Sequence, residues 1–183
     1  MTKKNSKTPL TVSRPDLLVD GSDEAFRDLL SDLFAFSQHL QETRARFAGF
    51  VGLSPAQYMI LIAIDRLEDS GDMGINQVAA HLHYSGAFVT IEVNHLVKAG
   101  LVAKAPHPTD GRRVVLRVTP AGRATLARLA AFQAPVNDAL FAPLDAESFS
   151  SLCRIMQSLS DNGDKAVRLA EYLHPATEDR FGG

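Results

Sequence analysis

The sequence predicts a mainly α-helical fold with one small β-hairpin, and three observations carry that prediction. Apolar residues recur at helical spacing across most of residues 22–173. Start and stop signals, among them Ser54-Pro55-Ala56-Gln57, Ser85 and Gly100, cut the middle of the chain into short helices. After Gly100 the period changes to two, with Val114, Leu116 and Val118 alternating against Arg113, Val115 and Arg117. A chain of 183 residues is long enough for one domain with its own core.

The elements follow in order. Residues 1–21 are polar and broken by Pro9 and Pro15, which predicts a flexible arm. Ser22 is placed to cap a long helix over about 22–50 that carries Phe26, Leu30, Leu33, Leu40 and Phe47, closed by Gly49 and Gly52. Ser54 at the N-cap, Pro55 at the first helical position and Gln57 at the third open a second helix, which runs to the polar stop Asp69-Ser70-Gly71-Asp72. A short helix spans Ile75 to Leu82, and Ser85 caps another that ends before Gly100. Leu101 to Ala105 and Arg113 to Val118 are the two strands, joined by the turn cluster Pro106 to Gly111. Thr119-Pro120 restarts helix as far as Pro135. Leu144-Asp145 opens a last helical region, with a break predicted at Asn162-Gly163 and a frayed tail over 175–183.

Composition narrows the class. At 45% apolar and 22% charged residues the chain is not disordered throughout. Apolar runs fall far short of the about 20 residues a spanning helix needs, and the Lys-rich N-terminus lacks an apolar signal core, so a cytoplasmic protein without membrane partners is expected. The single cysteine, Cys153, excludes an intrachain disulfide and lies on an apolar helical stripe, where a buried structural thiol is expected. His81 and His83 fall on different helical faces, and no metal or other cofactor is called for. Phosphate loops, Gly-x-Ser-x-Gly and His-Glu-x-x-His are absent, so no enzyme is expected.

Net charge is −2, but it is unevenly spread. Residues 15–72 hold eleven acids against four bases, whereas residues 73–117 hold five bases against two acids. A basic segment on an acidic body orients a protein on a polyanion.

Two short helices joined by a tight turn, then a hairpin with a basic tip, make a winged helix-turn-helix, expected over about 53–122. In its second short helix Val89, Val93, Leu96 and Val97 form a core face. Ala87, Thr90, Ile91, Asn94 and Lys98 lie opposite, where a helix in a B-DNA major groove presents side chains to base edges. Ser85, Gly86 and Ala87 are small enough to bring backbone N–H groups close to phosphate. Thr90 and Asn94 can hydrogen-bond bases, Ile91 can meet a thymine methyl, and Arg112 and Arg113 at the hairpin tip can enter a minor groove. A second possibility is a protein-interaction module in which Phe88 and Ile91 dock a partner instead of DNA.

The chain resembles the multiple-antibiotic-resistance regulator (MarR) family. The resemblance rests on Leu53-Ser54-Pro55-Ala56-Gln57-Tyr58, Ala79-Ala80-His81-Leu82, Val89-Thr90, Leu96 to Val102, Pro108-Thr109-Asp110-Gly111-Arg112-Arg113 and Leu116 to Gly122. It spans about residues 22–173 and implies a single domain over 22–174, with dimerisation helices at about 22–50 and 120–174 flanking the winged helix. It also implies a homodimeric transcription factor, usually a repressor, that binds a palindromic operator in double-stranded DNA and releases it on sensing a small molecule. Asp110, within the wing's Asp-x-Arg, is expected to orient Arg112. The resemblance places an effector cleft near His39, Arg46 and Tyr58, suited to a small aromatic or carboxylate ligand. Ile91, Phe88 and His95 depart from the family, which often has basic or small polar residues there; the recognition helix is correspondingly less basic.

Overall fold

The computed structural model describes residues 9–68, 73–107 and 114–174. Among these residues, six α-helices and one two-stranded antiparallel sheet follow in the order α1 Glu24–Phe50, α2 Pro55–Leu67, α3 Ile75–Leu82, α4 Gly86–Lys98, β1 Val102–Pro106, β2 Val114–Val118, α5 Pro120–Leu140 and α6 Ala146–Leu173. The chain divides into two compact units, Met1–Gln133 and Ala134–Gly183.

The first unit holds the core. The buried faces of α2 (Ile60, Leu61, Ala63, Ile64), α3 (Val78, Ala79) and α4 (Val89, Val93, Leu96) close on Val102, Leu116 and Val118 of the hairpin. Burying each large side chain of this set contributes about 1.5–3 kcal/mol. Local signals fix where the helices begin. The Ser54 hydroxyl accepts from Gln57 N–H at 3.1 Å while Gln57 Oε1 accepts from Ser54 N–H at 3.1 Å, the reciprocal box that starts α2. Ser85 Oγ accepts from Phe88 N–H and starts α4. Between α3 and α4 the chain turns at His83, whose φ of +53° reverses the backbone and ends α3. Gly100, at φ +72°, does the same after α4, where a side chain would be strained.

The hairpin pairs Val102 with Val118 and Lys104 with Leu116. Its base is fastened by Glu68, which is 3% exposed. One carboxylate oxygen accepts from Val118 N–H at 2.9 Å, and the other meets Arg123 Nη2 at 2.6 Å. The Glu68 carbonyl accepts from Arg117 Nη1. One residue at the end of α2 therefore ties together α2, β2 and the start of α5. Beyond the strand edge, Leu116 N–H donates to the Met73 carbonyl at 2.7 Å.

The helices and strands otherwise sit as expected, apart from a few differences. α1 starts at Glu24 with Asp23 at the N-cap position; Ser22 Oγ accepts from Glu24 N–H at 3.2 Å, whereas the Asp23 carboxylate faces Thr11 and Arg27 instead of the helix N–H groups. The predicted arm, from Pro9 onward, is accordingly tied down: Thr11 donates twice to Asp23 at 2.7 Å, Arg27 Nη2 donates to the Pro9 carbonyl, and Pro15–Leu17 forms a 3-10 turn. Val115 is buried beside Leu116 and Val118 while Val114 is 39% exposed, so the strand's inward face is not the plain alternation. α5 does not stop at Pro135 but runs to Leu140, with the proline inside the helix.

In the second unit α6 passes through Asn162-Gly163 without a break, with Asn162 Nδ2 bonded back to the Ser158 carbonyl. Asp145 caps it through Ser148 N–H at 2.8 Å, and that bond holds the Asp145 carboxyl below its ordinary range. Cys153 is exposed rather than buried, because the α6 stripe that carries it (Phe149, Ile155, Met156, Leu159) is itself open in the single chain. Among the described residues no single helix is long and apolar enough to cross a membrane.

Candidate nucleic-acid interface

α4 is two-faced. Val89, Val93 and Leu96 are fully buried. Ala87, Ile91, Asn94, His95 and Lys98 are exposed, while Gly86 and Thr90 are half-buried at the margin. Ser85, just before the helix, is exposed as well. This is the division the spacing predicts, and it leaves a polar and apolar strip along one side of a 13-residue helix. Phe88 is 38% exposed and stands edge-on to Tyr84, with ring centroids 5.3 Å apart.

The polar side chains on this strip are held in particular orientations. Thr90 Oγ1 donates to the Gly86 carbonyl at 2.8 Å, so its proton is spent within the helix and its oxygen is left as an acceptor. Asn94 Oδ1 accepts from Lys104 Nζ of β1 at 2.5 Å. His95 Nδ1 lies 3.3 Å from Glu92 Oε2, which also accepts from Gln57 Nε2 of α2 at 2.9 Å. His95 is thereby linked through Glu92 to the start of α2. Lys104, Glu92 and Gln57 escape sequence reading as parts of this surface; only the return of β1 alongside α4 brings Lys104 there. The wing-tip residues Asp110, Arg112 and Arg113 lie outside the described residues, as does the stop at Asp69 to Asp72.

Where α1, α2 and α5 meet lies an aromatic cluster. Tyr58 is 7% exposed and its hydroxyl accepts from Gln133 Nε2 at 2.8 Å. Phe47 stands edge-on to Tyr58 and to Phe132, and Phe50 stacks on Phe132 at 4.4 Å. Burial pushes the Tyr58 phenol up, opposed by the Gln133 bond and the nearby Arg44 charge. His39 and Arg46 are both exposed on α1. Arg44 is the arginine whose charge reaches Tyr58. It sits three residues before Phe47, on the same helical face, whereas Arg46 is two positions away from Arg44 and so turned to the other side. Among the described residues no group of three or more His, Cys, Asp or Glu is arranged to hold a metal ion.

A short helix, a turn, a second helix with an open outer face and a hairpin packed behind it define a winged helix-turn-helix protein. Residues 51–113 match the model of the MarR family. Solved structures agree over most of the chain. A probable transcriptional regulator from Pseudomonas aeruginosa is similar at 29% identity and TM-score 0.57, over 69% of this chain and 92% of that one. A mutant MarR from E. coli complexed with operator DNA is 18% identical at TM-score 0.60, covering 72% and 93%. Bordetella bronchiseptica BpsR, whose DNA binding is regulated by 6-hydroxynicotinic acid, is 22% identical at TM-score 0.58, covering 70% and 90%. No curated protein matches by sequence. Residues 51–113 are thus similar to the MarR family, and the chain shares the fold of these transcription regulators.

Proposed function

We propose that the protein is a homodimeric, sequence-specific DNA-binding repressor whose hold on a palindromic operator is relieved by a small-molecule effector. The observation that carries this reading is the open face of α4, where Ile91, Asn94 and Lys98 stand out, with Thr90 half-buried at the margin, from a helix anchored by three fully buried side chains. A face of that width and polarity suits a major groove. Ser85, Gly86 and Ala87 contribute backbone donors to phosphate, and Arg112, oriented by Asp110, and Arg113 supply the wing's minor-groove contact.

Two copies act together because one winged helix covers a single half-site. The open apolar residues of α1 (Leu29, Leu33, Phe34, Leu40) and of α6 (Phe149, Ile155, Met156, Leu159) supply surface for a second copy to cover. The effector is an aromatic or carboxylate compound, held by Arg44 and the Tyr58 cluster. Arg44 Nε–H is buried with no hydrogen-bond partner among the described residues, a donor available to an anion. The regulation of BpsR by 6-hydroxynicotinic acid, an aromatic acid, is in keeping with that chemistry. The protein works in the cytoplasm, without catalysis.

Footprinting on DNA flanking the protein's own gene, with and without candidate aromatic acids, tests the reading. Paired protection of two half-sites, abolished on adding one of the acids, is expected. Absence of protection would favour the docking of a protein partner on Phe88 and Ile91, which are 38% and 54% exposed.

A further inference from the structure

Resting on this DNA-binding reading, we propose that Lys104 is a positioning residue that fixes which end of the Asn94 amide meets a base pair. Asn94 projects from the exposed face of α4, and Lys104 comes from β1, opposite Leu116 in the hairpin. Lys104 Nζ lies 2.5 Å from Asn94 Oδ1. An ammonium has donors only, so whichever way the amide is turned, the atom that faces Lys104 is the carbonyl oxygen.

The chemical consequence concerns base choice. An unrestrained asparagine reads adenine with both ends of its amide, giving an N–H to N7 and accepting from N6. Lys104 holds the accepting end toward the wing and leaves the donating end outward. A lone donor end suits guanine (N7 and O6) or thymine (O4), whereas at adenine it meets N7 alone and loses the second bond from N6. Thr90, one turn earlier on the same helix, is fixed in the opposite sense. Its proton goes to the Gly86 carbonyl and its oxygen is left to accept from adenine N6 or cytosine N4. The helix therefore presents an acceptor and then a donor, in fixed order, along one side. The bond to Asn94 uses one of the three ammonium donors, and the others can meet a phosphate, joining a backbone contact to base choice. Exclusion of water on docking strengthens such a charge-assisted bond.

The test is selection of duplexes from a randomised pool by the full chain, followed by competition binding, for wild type, Asn94→Ala, Lys104→Met and Lys104→Arg. Lys104 is exposed, so its replacement leaves the core intact, which circular dichroism checks. The pair at which Asn94→Ala loses preference should be guanine or thymine for wild type. Lys104→Met, which keeps the stem and removes the donors, should turn that pair toward adenine by about 5- to 150-fold in relative affinity, the range of a good bidentate contact. Lys104→Arg should keep the wild-type choice. Uniform weakening of all sequences by Lys104→Met, with the preferred base unchanged, would show a plain phosphate contact and overturn the proposal. So would an Asn94→Ala variant with unaltered base preference. If wild type enriches no sequence, the DNA-binding reading itself fails, and this inference with it.

Discussion

Gly122→Ala puts the packing of the winged helix to a test in which two effects have opposite signs. Gly122 lies in the first turn of α5, where a Cβ would sit 2.3 Å from the Leu101 carbonyl oxygen and 2.7 Å from Val118 Cγ1. The first of these is backbone, and that carbonyl already accepts from Thr119 N–H at 3.0 Å. A methyl there must move either the start of α5 or the link between α4 and β1 by about 1 Å to reach van der Waals distance. Overpacking of this kind costs about 1–3 kcal/mol, more where backbone must give. Helix propensity alone points the other way, since alanine is better than glycine in a helix by about 1 kcal/mol. The clash should win, with a net loss of about 2 kcal/mol and a Tm lower by about 4–8 °C for a chain of this size. Gly163 in α6 is the control: a Cβ there meets nothing within 4 Å, so Gly163→Ala should raise stability by up to about 1 kcal/mol. Thermal unfolding followed by far-UV circular dichroism measures both. A rise in Tm for both variants would refute the close approach of α5 to Leu101.

Three further outcomes follow from the same geometry. Glu68→Ala should destabilise the chain by about 2–3 kcal/mol in urea unfolding, chiefly by orphaning the buried Val118 N–H, with a smaller part from the half-exposed Arg123; a change under about 0.5 kcal/mol would contradict the fastening role. Asp23 is held at a pKa of about 2, below its ordinary 3.8, by the hydroxyl and backbone N–H of Thr11 and then by Arg27, so the stability it contributes is present above about pH 4 and lost as pH falls through about 2. Acid unfolding of Asp23→Asn should lack that part of the pH dependence, and an unchanged acid profile would count against the Thr11–Asp23 anchor. For the effector, Arg44→Ala should weaken release of DNA by a carboxylate ligand about 10- to 100-fold, the worth of a charged hydrogen bond, whereas Arg46→Ala should leave it near wild type in a fluorescence titration.

How far the sequence reaches depends on how local each determinant is. Ser54, Gln57, Ser85 and Gly100 act within four residues of themselves, and the boundaries they mark are found where the spacing places them. The two-faced character of α4 is equally local, since periodicity alone sorts Val89, Val93 and Leu96 from Ile91 and Asn94. The surrounding helical pattern overrides both Pro135, a strong breaker, and the weaker Asn162-Gly163, which no single-residue rule reports. The inward turn of Val115 depends on neighbours far along the chain. The reach of the Arg44 charge to Tyr58 becomes visible only once Phe47, three residues on along the same helical face, is known to be buried. Lys104 at Asn94 requires the hairpin to fold back beside α4.

The central claim is that α4 and the wing grip DNA through its phosphates as well as its bases, and the salt dependence of operator binding addresses it most directly. Fluorescence anisotropy of the full chain on its footprinted duplex, repeated between about 50 and 200 mM salt, gives the slope of log affinity against log salt. A dimer neutralising six to ten phosphates should weaken by about 10³- to 10⁵-fold over that range. Arg112→Ala should lower the slope by about one unit for each phosphate that the arginine no longer neutralises. An affinity that does not change with salt would mean apolar docking through Phe88 and Ile91, and would contradict the account.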